Sequence, residues 1–431
     1  MGINIKNLRN LFYIFLAAHL IVWTAIPTLT NNNLPLDTIE ALAWGSNLDW
    51  GFNKHPPMSA FVVEIFYQIF GPQDWAYYLL SQIFVIISFL FVWKLSEEFF
   101  KNKIYCLLSV LLLEGIHYYN FTTPEYNVYI CELPFWALTV YFAWKGYNQN
   151  SIISWILLGI FSAIGLLSHY LFIYLLIGIG IFFLYQICKY RKLNYKYFIS
   201  DIIFIIIILP HLFWLKENDF VTLTYGMHRT GLESSGYISH FIEPLKFIGK
   251  QIGILIPVII MCCFIILKFK AKFNFKDKKL LFLICINILP IFFLILTSAI
   301  IGVKIKTMWM TPFYLFIGIF IIYIFQAQIN LKKLKGFVSV FLILFIFSPF
   351  AYAYISITKT NKRTDYPGKS ESEKAQKYYI NSGYEDPITI VKGNEWIAGN
   401  LSYHLPSRPK WIYDSQGTYL CAQSDKCLKY K

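Results

Sequence analysis

The sequence predicts a polytopic all-α membrane protein with about eleven transmembrane helices, followed by a small extracytoplasmic α/β domain. Hydrophobic residues make up 57% of the 431 residues and charged residues only 14%, whereas a typical soluble domain is about 25% charged. Apolar blocks recur that are long enough to cross ~30 Å of hydrocarbon as helices. The cations are concentrated in alternate loops between these blocks, which is the usual pattern of a protein that crosses a membrane repeatedly.

The apolar blocks assign residues 1–356 to the membrane domain, with a first outer loop at residues 30–74. The run at 57–71 is too short to cross and is predicted to lie in the interface as an amphipathic helix. The first block continues to Leu29 without a signal-peptide cleavage pattern, so it is kept as a span. The predicted spans are 11–29, 75–96, 104–119, 128–145, 152–168, 170–188, 198–215, 249–267, 280–300, 307–326 and 336–356.

Lysine and arginine residues mark one side of the predicted membrane domain as cytoplasmic. The N-terminus is therefore predicted to lie in the cytoplasm, and both the first outer loop and the C-terminal segment outside it. These loops account for the net charge of +14, so nucleic-acid binding is not predicted. The loop cations are Lys6, Arg9, Lys101, Lys103, Lys189, Arg191, Lys192, Lys196, Lys268, Lys270, Lys272, Lys276, Lys278, Lys279, Lys332, Lys333 and Lys335.

The C-terminal segment, residues 357–431, loses the hydrophobic continuity of the rest of the chain. Its sequence predicts a strand in "DPITIVKG", a helix in "NEWIAGNLSYHL" and a second strand in "SRPKWIYD". Cys421 and Cys427 lie in this outward segment, and an oxidising compartment would allow them to form a disulfide. The segment is therefore predicted to be a small α/β domain with one disulfide.

The first outer loop carries a polar cluster between two apolar stretches. Asp37 and Glu40 are three residues apart, so on a short helix they share one face. Lys54 and His55 precede two prolines that redirect the chain. Carboxylates and cations at one membrane surface suit the binding of a lipid phosphate and the removal of a proton. A solvated loop whose charges face water would have the same composition.

Three further outward loops carry candidate polar residues. Glu125 precedes a membrane helix, where it could serve either catalysis or the helix dipole. His169 and Tyr170 lie in the break "LLSHYLF", where the imidazole could be a turn residue or could reach a phosphate. His228 and Arg229 lie in the outward loop at 216–248. The same face also receives Lys304, Lys306 and Trp309.

Motifs for nucleotides and metals are absent or incomplete in the sequence. There is no Walker loop, dinucleotide fingerprint, zinc-protease motif or nucleophile elbow. Glu114 and His117 have metal-ligand spacing, but no third ligand has convincing spacing. A divalent metal is chemically conceivable at the outer face, and no cofactor is predicted.

Four stretches in order resemble bacterial GT-C type glycosyltransferases, in the group of the dolichyl-phosphate-mannose protein mannosyltransferases and the lipid A aminoarabinose transferases. The stretches are "LPLDTIEALAWG…WGFNKHPPMSAF", "TTPEYNVYICELPFWALTVYFAWK", "GLLSHY" and "DYPGK…NEWIAGNLSYHLPSRPKW". The resemblance implies a bacterial inner-membrane enzyme with a periplasmic C-terminus and an inverting mechanism. It also implies a polyprenyl-phosphate sugar as donor and a lipid, glycan or protein as acceptor. We expect contact with membrane lipids and a monomeric enzyme.

The resemblance also assigns roles to individual residues. Asp37 matches the catalytic carboxylate of the first loop, and Glu125 the second acidic position. His55 and His169 stand where the family usually has lysine, so either the imidazoles are protonated beside phosphate or Lys54 supplies the charge. Because Lys54 occupies the position of a metal-holding acidic residue, no metal is predicted. If the acceptor is itself a phosphate, Asp37 would mainly position it.

Two other classes of polytopic protein compete with this interpretation. A transporter or flippase for a polyprenyl-linked sugar commonly has internal repeats and ionisable residues near mid-membrane, and no repeat is visible here. A polysaccharide ligase or polymerase shares the donor but usually has one large late outer loop. A non-catalytic scaffold would leave the ordered polar positions without a role.

Overall fold

The computed structural model describes residues 5–232, 236–271 and 273–430, with side chains from Asn7 onward. The Lys6 side chain, Lys272 and the part of the outward loop at 233–235 therefore lie outside the described residues. The α-helices are α1 (Ile5–Thr30), α2 (Leu36–Gly45), α3 (Met58–Phe70), α4 (Asp74–Phe99), α5 (Lys103–Leu111), α6 (Val128–Gln149), α7 (Ile152–Ser168), α8 (Ile173–Tyr190), α9 (Lys196–Glu217), α10 (Val221–Thr230), α11 (Ser239–Ile265), α12 (Lys278–Ile301), α13 (Ile317–Phe325), α14 (Leu334–Thr358), α15 (Gly368–Asn381) and α16 (Ile397–His404).

Seven helical segments in the described part of the chain are long and apolar enough to cross a membrane, and a bent helix pair would make eight. They are Asn7–Thr30, Asp74–Phe99, Tyr170–Tyr190, Lys196–Glu217, Ser239–Ile265, Lys278–Ile301 and Leu331–Thr358. Each overlaps one predicted span. The predicted spans 128–145 and 152–168 are also helices, but α6 contains internal charges and α7 has only 17 residues.

The prediction of a continuous span at 104–119 is wrong, because this segment breaks into three pieces. Helix α5 ends at Leu111 and is followed by the 3₁₀ turns Leu112–Gly115 and His117–Tyr119. The predicted span 307–326 is likewise bent, by 55°. The two broken segments contact each other closely: a Cβ on Gly318 would collide with the carbonyl oxygen of Ser109. Irregular backbone is tolerated within a membrane only where protein or a polar cavity surrounds it.

The C-terminal segment contains a four-stranded sheet with the order β2-β1-β3-β4. Its strands are β1 (Ile390–Gly393), β2 (Lys410–Tyr413), β3 (Tyr419–Cys421) and β4 (Cys427–Lys429). Strands β1 and β2 are parallel and connected through α16, while β1–β3 and β3–β4 are antiparallel. Cys421 and Cys427 form a disulfide across β3 and β4. The predicted strands and helix are all present.

The C-terminal segment packs onto the first outer loop and shares a hydrophobic core with it. Trp44 and Phe52 of the outer loop are buried together with Val391, Leu401 and Trp411 of the C-terminal segment. Helix α3 confirms the helix predicted at 57–71 and lies between these layers and the membrane helices. This packing fixes the position of α2, which carries Asp37.

Candidate active site

Asp37 and Glu125 meet at the N-terminus of α2. Pro35 precedes the helix and has no N–H to satisfy, and the backbone N–H of Asp37 donates to Oε1 of Glu125 at 3.2 Å. The Thr38 hydroxyl donates to the carbonyl of Tyr126 at 3.0 Å. A carboxylate is stabilised at a helix N-terminus by the unpaired N–H groups. The Glu125 carboxylate therefore interacts with the N-terminus of α2 and not with that of α6, the helix that follows Glu125 in the chain.

The loop that carries Glu125 is held on both sides. The Asn127 side chain caps α6 by accepting from the backbone N–H groups of Tyr129 and Ile130, each at 3.1 Å. The Ser81 hydroxyl donates to the carbonyl of Thr123. These contacts place the Glu125 carboxylate firmly against α2.

The environment of Asp37 makes its carboxyl a weak acid. Burial raises its pKa, the nearby Glu125 raises it further, and Lys54 and Arg229 lower it, with a net value of about 7. Burial also raises the pKa of Glu125, against the effect of the Asp37 N–H. Because the two carboxyl groups interact electrostatically, the protonation of one affects that of the other. The pair can therefore accept a proton near neutral pH.

Lys54 is held by two carboxylates. Its ammonium lies 2.9 Å from Oε1 of Glu40 and 3.1 Å from Oε1 of Glu395. Burial lowers the pKa of Lys54, but the two carboxylates outweigh that effect and raise it overall. The Asn53 amide also donates to Glu395, at 3.1 Å. Lys54 is thus a cation fixed between the first outer loop and the C-terminal segment.

The two histidines predicted to replace lysines face each other. The ring centroids of His55 and His169 are 6.1 Å apart. Burial lowers the pKa of His55 to about 3, assisted by repulsion from Lys54 and Arg229, so its imidazole is neutral near pH 7. Nδ1 of His169 lies 3.4 Å from Oε2 of Glu132, and the Glu132 side chain is fully buried. A buried acidic side chain therefore lies beside the His169 ring.

Arg229 contributes a second cation to the site, and His228 lies beside it on α10. Both residues are exposed. The Arg229 charge lowers the pKa of Asp37 and of His55, which places it near both groups. Helix α10 is anchored to the outer loop because the Thr222 hydroxyl donates to the carbonyl of Phe52 at 2.9 Å.

Tyr170 and Trp309 lie on the side of the site that is formed by the break after α7 and by the segment that follows α12. The Tyr170 hydroxyl is hydrogen-bonded to Nε2 of His211 at 2.8 Å, and Nδ1 of His211 to the carbonyl of Trp50 at 2.6 Å. This chain ties the break after α7 to the outer loop. The Trp309 ring lies 6.4 Å from that of His169. The backbone N–H of Lys304 donates to the carbonyl of Thr230 at 3.0 Å, which joins this region to α10.

Sequence reasoning missed Glu132, His211 and Glu395. The first two lie inside apolar helices, where an isolated polar residue is the only available signal. Glu395 belongs to the C-terminal segment and approaches Lys54 only after folding. In the described ranges, no group of three or more His, Cys, Asp or Glu side chains is arranged to hold a metal ion.

Similarity to known proteins covers nearly the whole chain. A family model for dolichyl-phosphate-mannose-protein mannosyltransferases matches residues 54–214. The lipopolysaccharide core galacturonosyltransferase RgtB of Rhizobium johnstonii is 23% identical over 425 residues, spanning 96% of this chain and 85% of RgtB. RgtA of the same organism, with the same description, is 19% identical over 428 residues, spanning 93% of this chain and 82% of RgtA.

Two crystal structures of ArnT from Cupriavidus metallidurans have the same fold. The structure bound to undecaprenyl phosphate has a TM-score of 0.64 at 11% identity, covering 96% of this chain and 87% of ArnT. The apo structure has a TM-score of 0.61 at 13% identity, covering 95% and 86%. The fold, the ordered motifs and these matches define a GT-C type glycosyltransferase. The chain is similar to the group that contains the protein mannosyltransferases and the lipid A aminoarabinose transferases, and its long apolar helices make it a multi-pass membrane protein.

Proposed function

We propose that the protein transfers a sugar from a polyprenyl-phosphate donor to an envelope acceptor, with inversion, at the periplasmic face of the inner membrane. The observation that carries the proposal is the contact between Asp37 and Glu125 beside Arg229, His55 and His169. The Asp37 carboxylate would act as the base, and Arg229 with the two imidazoles would bind an anion beside it. ArnT, which shares the fold, binds undecaprenyl phosphate.

The donor phosphate would lie against Arg229, His55 and His169. Arg229 supplies a permanent charge and a planar set of donors suited to phosphate. The imidazoles supply N–H donors, and the phosphate itself favours their protonation. Lys54 is already engaged by Glu40 and Glu395, so we assign it and Glu40 to holding the site together. This arrangement stabilises the charge that develops on the departing phosphate.

Asp37 would remove the proton from the acceptor hydroxyl. Its pKa of about 7 keeps much of it ionised at neutral pH while leaving it basic enough to take a proton. Inversion requires the acceptor to approach the anomeric carbon from the face opposite the phosphate. Glu125 would tune and position Asp37. Because the phosphate is a good leaving group, no general acid is needed.

The acceptor class that the relatives favour is the lipopolysaccharide core or lipid A, since RgtB and RgtA act on the core. Other envelope glycans and protein hydroxyls are the alternatives. We further propose a monomer whose N-terminus is cytoplasmic and whose residues 357–431 form a periplasmic domain that covers the site. Tyr170 would hold the break after α7 against the first outer loop through its hydrogen bond to His211. His228 would lie beside Arg229 at the entrance to the active site.

The proposal is tested by mass spectrometry of envelope lipids and glycoproteins from a deletion strain and its parent. The account predicts that one sugar mass disappears from one acceptor in the deletion strain. A plasmid-borne wild-type gene should restore it, and Asp37→Asn should not. An unchanged envelope with a polyprenyl-linked precursor accumulating on the cytoplasmic side would instead support a flippase.

A further inference from the structure

A second polar cavity, of about 530 Å³, opens between α11 and α14. It lies beside the broken segment 112–119 and outside the cluster of Asp37, His55 and Arg229. We call it the α11–α14 cavity. Its lining residues are Glu114, Gly115, His117, Asn120, Lys250, Gly253, Ile254, Pro257, Thr307, Leu344 and Ser348.

Glu114 forms part of the cavity wall and has an unusual environment. Its side chain is only 1% exposed. Oε1 accepts from the Asn120 amide at 3.1 Å, whereas Oε2 has no hydrogen-bond donor among the described residues. Oε2 lies 3.5 Å from Nδ1 of His19, which is also fully buried. Ionisable side chains buried among membrane helices are costly and commonly mark a functional site.

The remaining polar groups suit a hydroxyl-rich and acidic ligand. Lys250 is an exposed residue of α11 and supplies an ammonium, and His117 is an exposed imidazole. Thr307 and Ser348 supply hydroxyls that donate and accept. Such hydroxyls form hydrogen bonds with sugar hydroxyls, while an ammonium pairs with a phosphate or carboxylate. A purely apolar lipid chain would need none of these groups.

The cavity adjoins the Glu125 side of the candidate active site. Asn120 precedes Phe121, whose ring lies 5.6 Å from that of Tyr352. Tyr352 is one turn along α14 from Ser348, and the Glu125 carboxylate is close enough to interact electrostatically with it. Phe121 and Tyr352 therefore lie between the cavity and the carboxylate pair.

The turn Thr307–Met310 lies between the cavity and the imidazoles. Thr307 lines the cavity, and the Trp309 ring lies 6.4 Å from His169. The proposed phosphate site and the α11–α14 cavity are thus formed by different elements. An inverting displacement needs this separation, because acceptor and leaving group occupy opposite faces of the sugar.

We propose that the α11–α14 cavity binds the head of the acceptor, an acidic glycolipid of the outer leaflet that enters laterally between α11 and α14. This inference rests on the proposed function and names the substrate class for it. Thr307 and Ser348 form hydrogen bonds with sugar hydroxyls, and Lys250 pairs with an acidic group at the opening. The donor lipid does not occupy this cavity.

Photo-crosslinking in cells tests the occupant directly. p-Benzoylphenylalanine replaces Ser348 in an Asp37→Asn background, where no product leaves the site. The matched control carries it at Phe350, which is 70% exposed on the same helix. We expect glycolipid adducts at position 348 and phospholipid adducts at 350 by mass spectrometry. Phospholipid alone at both positions, or a polyprenyl phosphate at 348, would overturn the proposal.

Kinetics of purified variants give an independent test. The probes are lipopolysaccharide from the deletion strain as acceptor and the accumulated lipid-linked sugar as donor. Lys250→Met should raise the acceptor KM about tenfold and leave the donor KM unchanged, because it loses one charge-assisted contact worth about 1.4 kcal/mol.

Lys246→Met is the matched control, because Lys246 is an exposed cation on the same helix that pairs with Glu243 at 3.1 Å. It should leave both KM values unchanged. If Lys250→Met behaves like Lys246→Met, the cavity is not the acceptor site. These outcomes differ from those expected if the protein is not a glycosyltransferase. In that case the wild-type protein would transfer no sugar, and the envelope of the deletion strain would be unaltered.

Discussion

At the scale of single residues, the pKa of Asp37 is set by burial and by three charged groups. Burial and Glu125 raise it, and Lys54 and Arg229 lower it, to about 7. A base must be deprotonated to act. Transfer that depends on Asp37 should therefore fall as the pH decreases through about 7 and level off above it.

Glu125→Gln should move the acid limb of the pH profile to lower pH. Glutamine can still accept the Asp37 N–H, but it no longer repels the Asp37 carboxylate, so the pKa of Asp37 decreases. The measurement is the initial rate of transfer between about pH 5 and pH 9. Glu385→Gln, at an exposed residue of the C-terminal segment, is the control. An acid limb that stays in place would show that Glu125 does not tune the base.

At the scale of elements, α6 and the break after α7 bring Glu132 and His169 together. Oε2 of Glu132 lies 3.4 Å from Nδ1 of His169. Burial, assisted by His55, lowers the pKa of His169 to about 3. We propose that a bound phosphate favours protonation of the ring and that Glu132 then stabilises the charged ring. The pair would in this way substitute for the lysine that the family usually has at this position.

Glu132→Gln should weaken undecaprenyl phosphate binding about tenfold, which corresponds to about 1.4 kcal/mol. Binding is measured on the purified protein in lipid nanodiscs, with thermal unfolding as the check on folding. His169→Phe should weaken binding at least as much. In the His169→Phe background, Glu132→Gln should add little, because the two residues act through one contact. Additive losses would mean that Glu132 acts independently of His169.

Hydropathy predicted the long membrane helices but not where helices break. The run at 104–119 is mostly apolar, with Ser109, Glu114 and His117 as exceptions, and composition alone gives no sign that α5 ends at Leu111. The break depends on packing against the segment that carries Gly318. Long-range contacts of this kind have no local pattern in the sequence.

The site was predictable where residues in one loop share a spacing or a family motif. Asp37 and Glu125 were identified in this way, and the structure brings them into contact. The pairing of Lys54 with Glu395 was not predictable, because 341 residues separate the two in the chain. Glu132 resembled any other polar residue of an apolar helix until its contact with His169 was visible.

At the scale of the whole molecule, Arg408 anchors the C-terminal segment on the outer loop. Its Nη2 donates to the carbonyl of Leu42 and to Oε2 of Glu64, each at 2.6 Å. The guanidinium also lies 4.1 Å from the centre of the Tyr67 ring. Since the same segment supplies Glu395 to Lys54, this anchor connects the docking of the segment to the active site.

Arg408→Met should release the C-terminal segment, because it leaves Glu64 buried and unpaired. Loss of one partner of a buried ion pair costs about 3 to 5 kcal/mol. We expect faster proteolysis after residue 357, a lower melting temperature and reduced transfer. Lys426→Met removes a surface pair with Asp386, whose side chain is 62% exposed, and should change none of these. Equal stability of the two variants would contradict the anchoring role.

The most direct test of the central claim is transfer by purified wild-type protein and Asp37→Asn in nanodiscs. The donor is the lipid-linked sugar that accumulates in the deletion strain, and the acceptor is envelope glycolipid from that strain. The wild-type protein should form a product with inverted anomeric configuration. Asp37→Asn should bind the donor but transfer the sugar about 10²- to 10⁴-fold more slowly. Transfer by Asp37→Asn at the wild-type rate, or a product with retained configuration, would contradict the account.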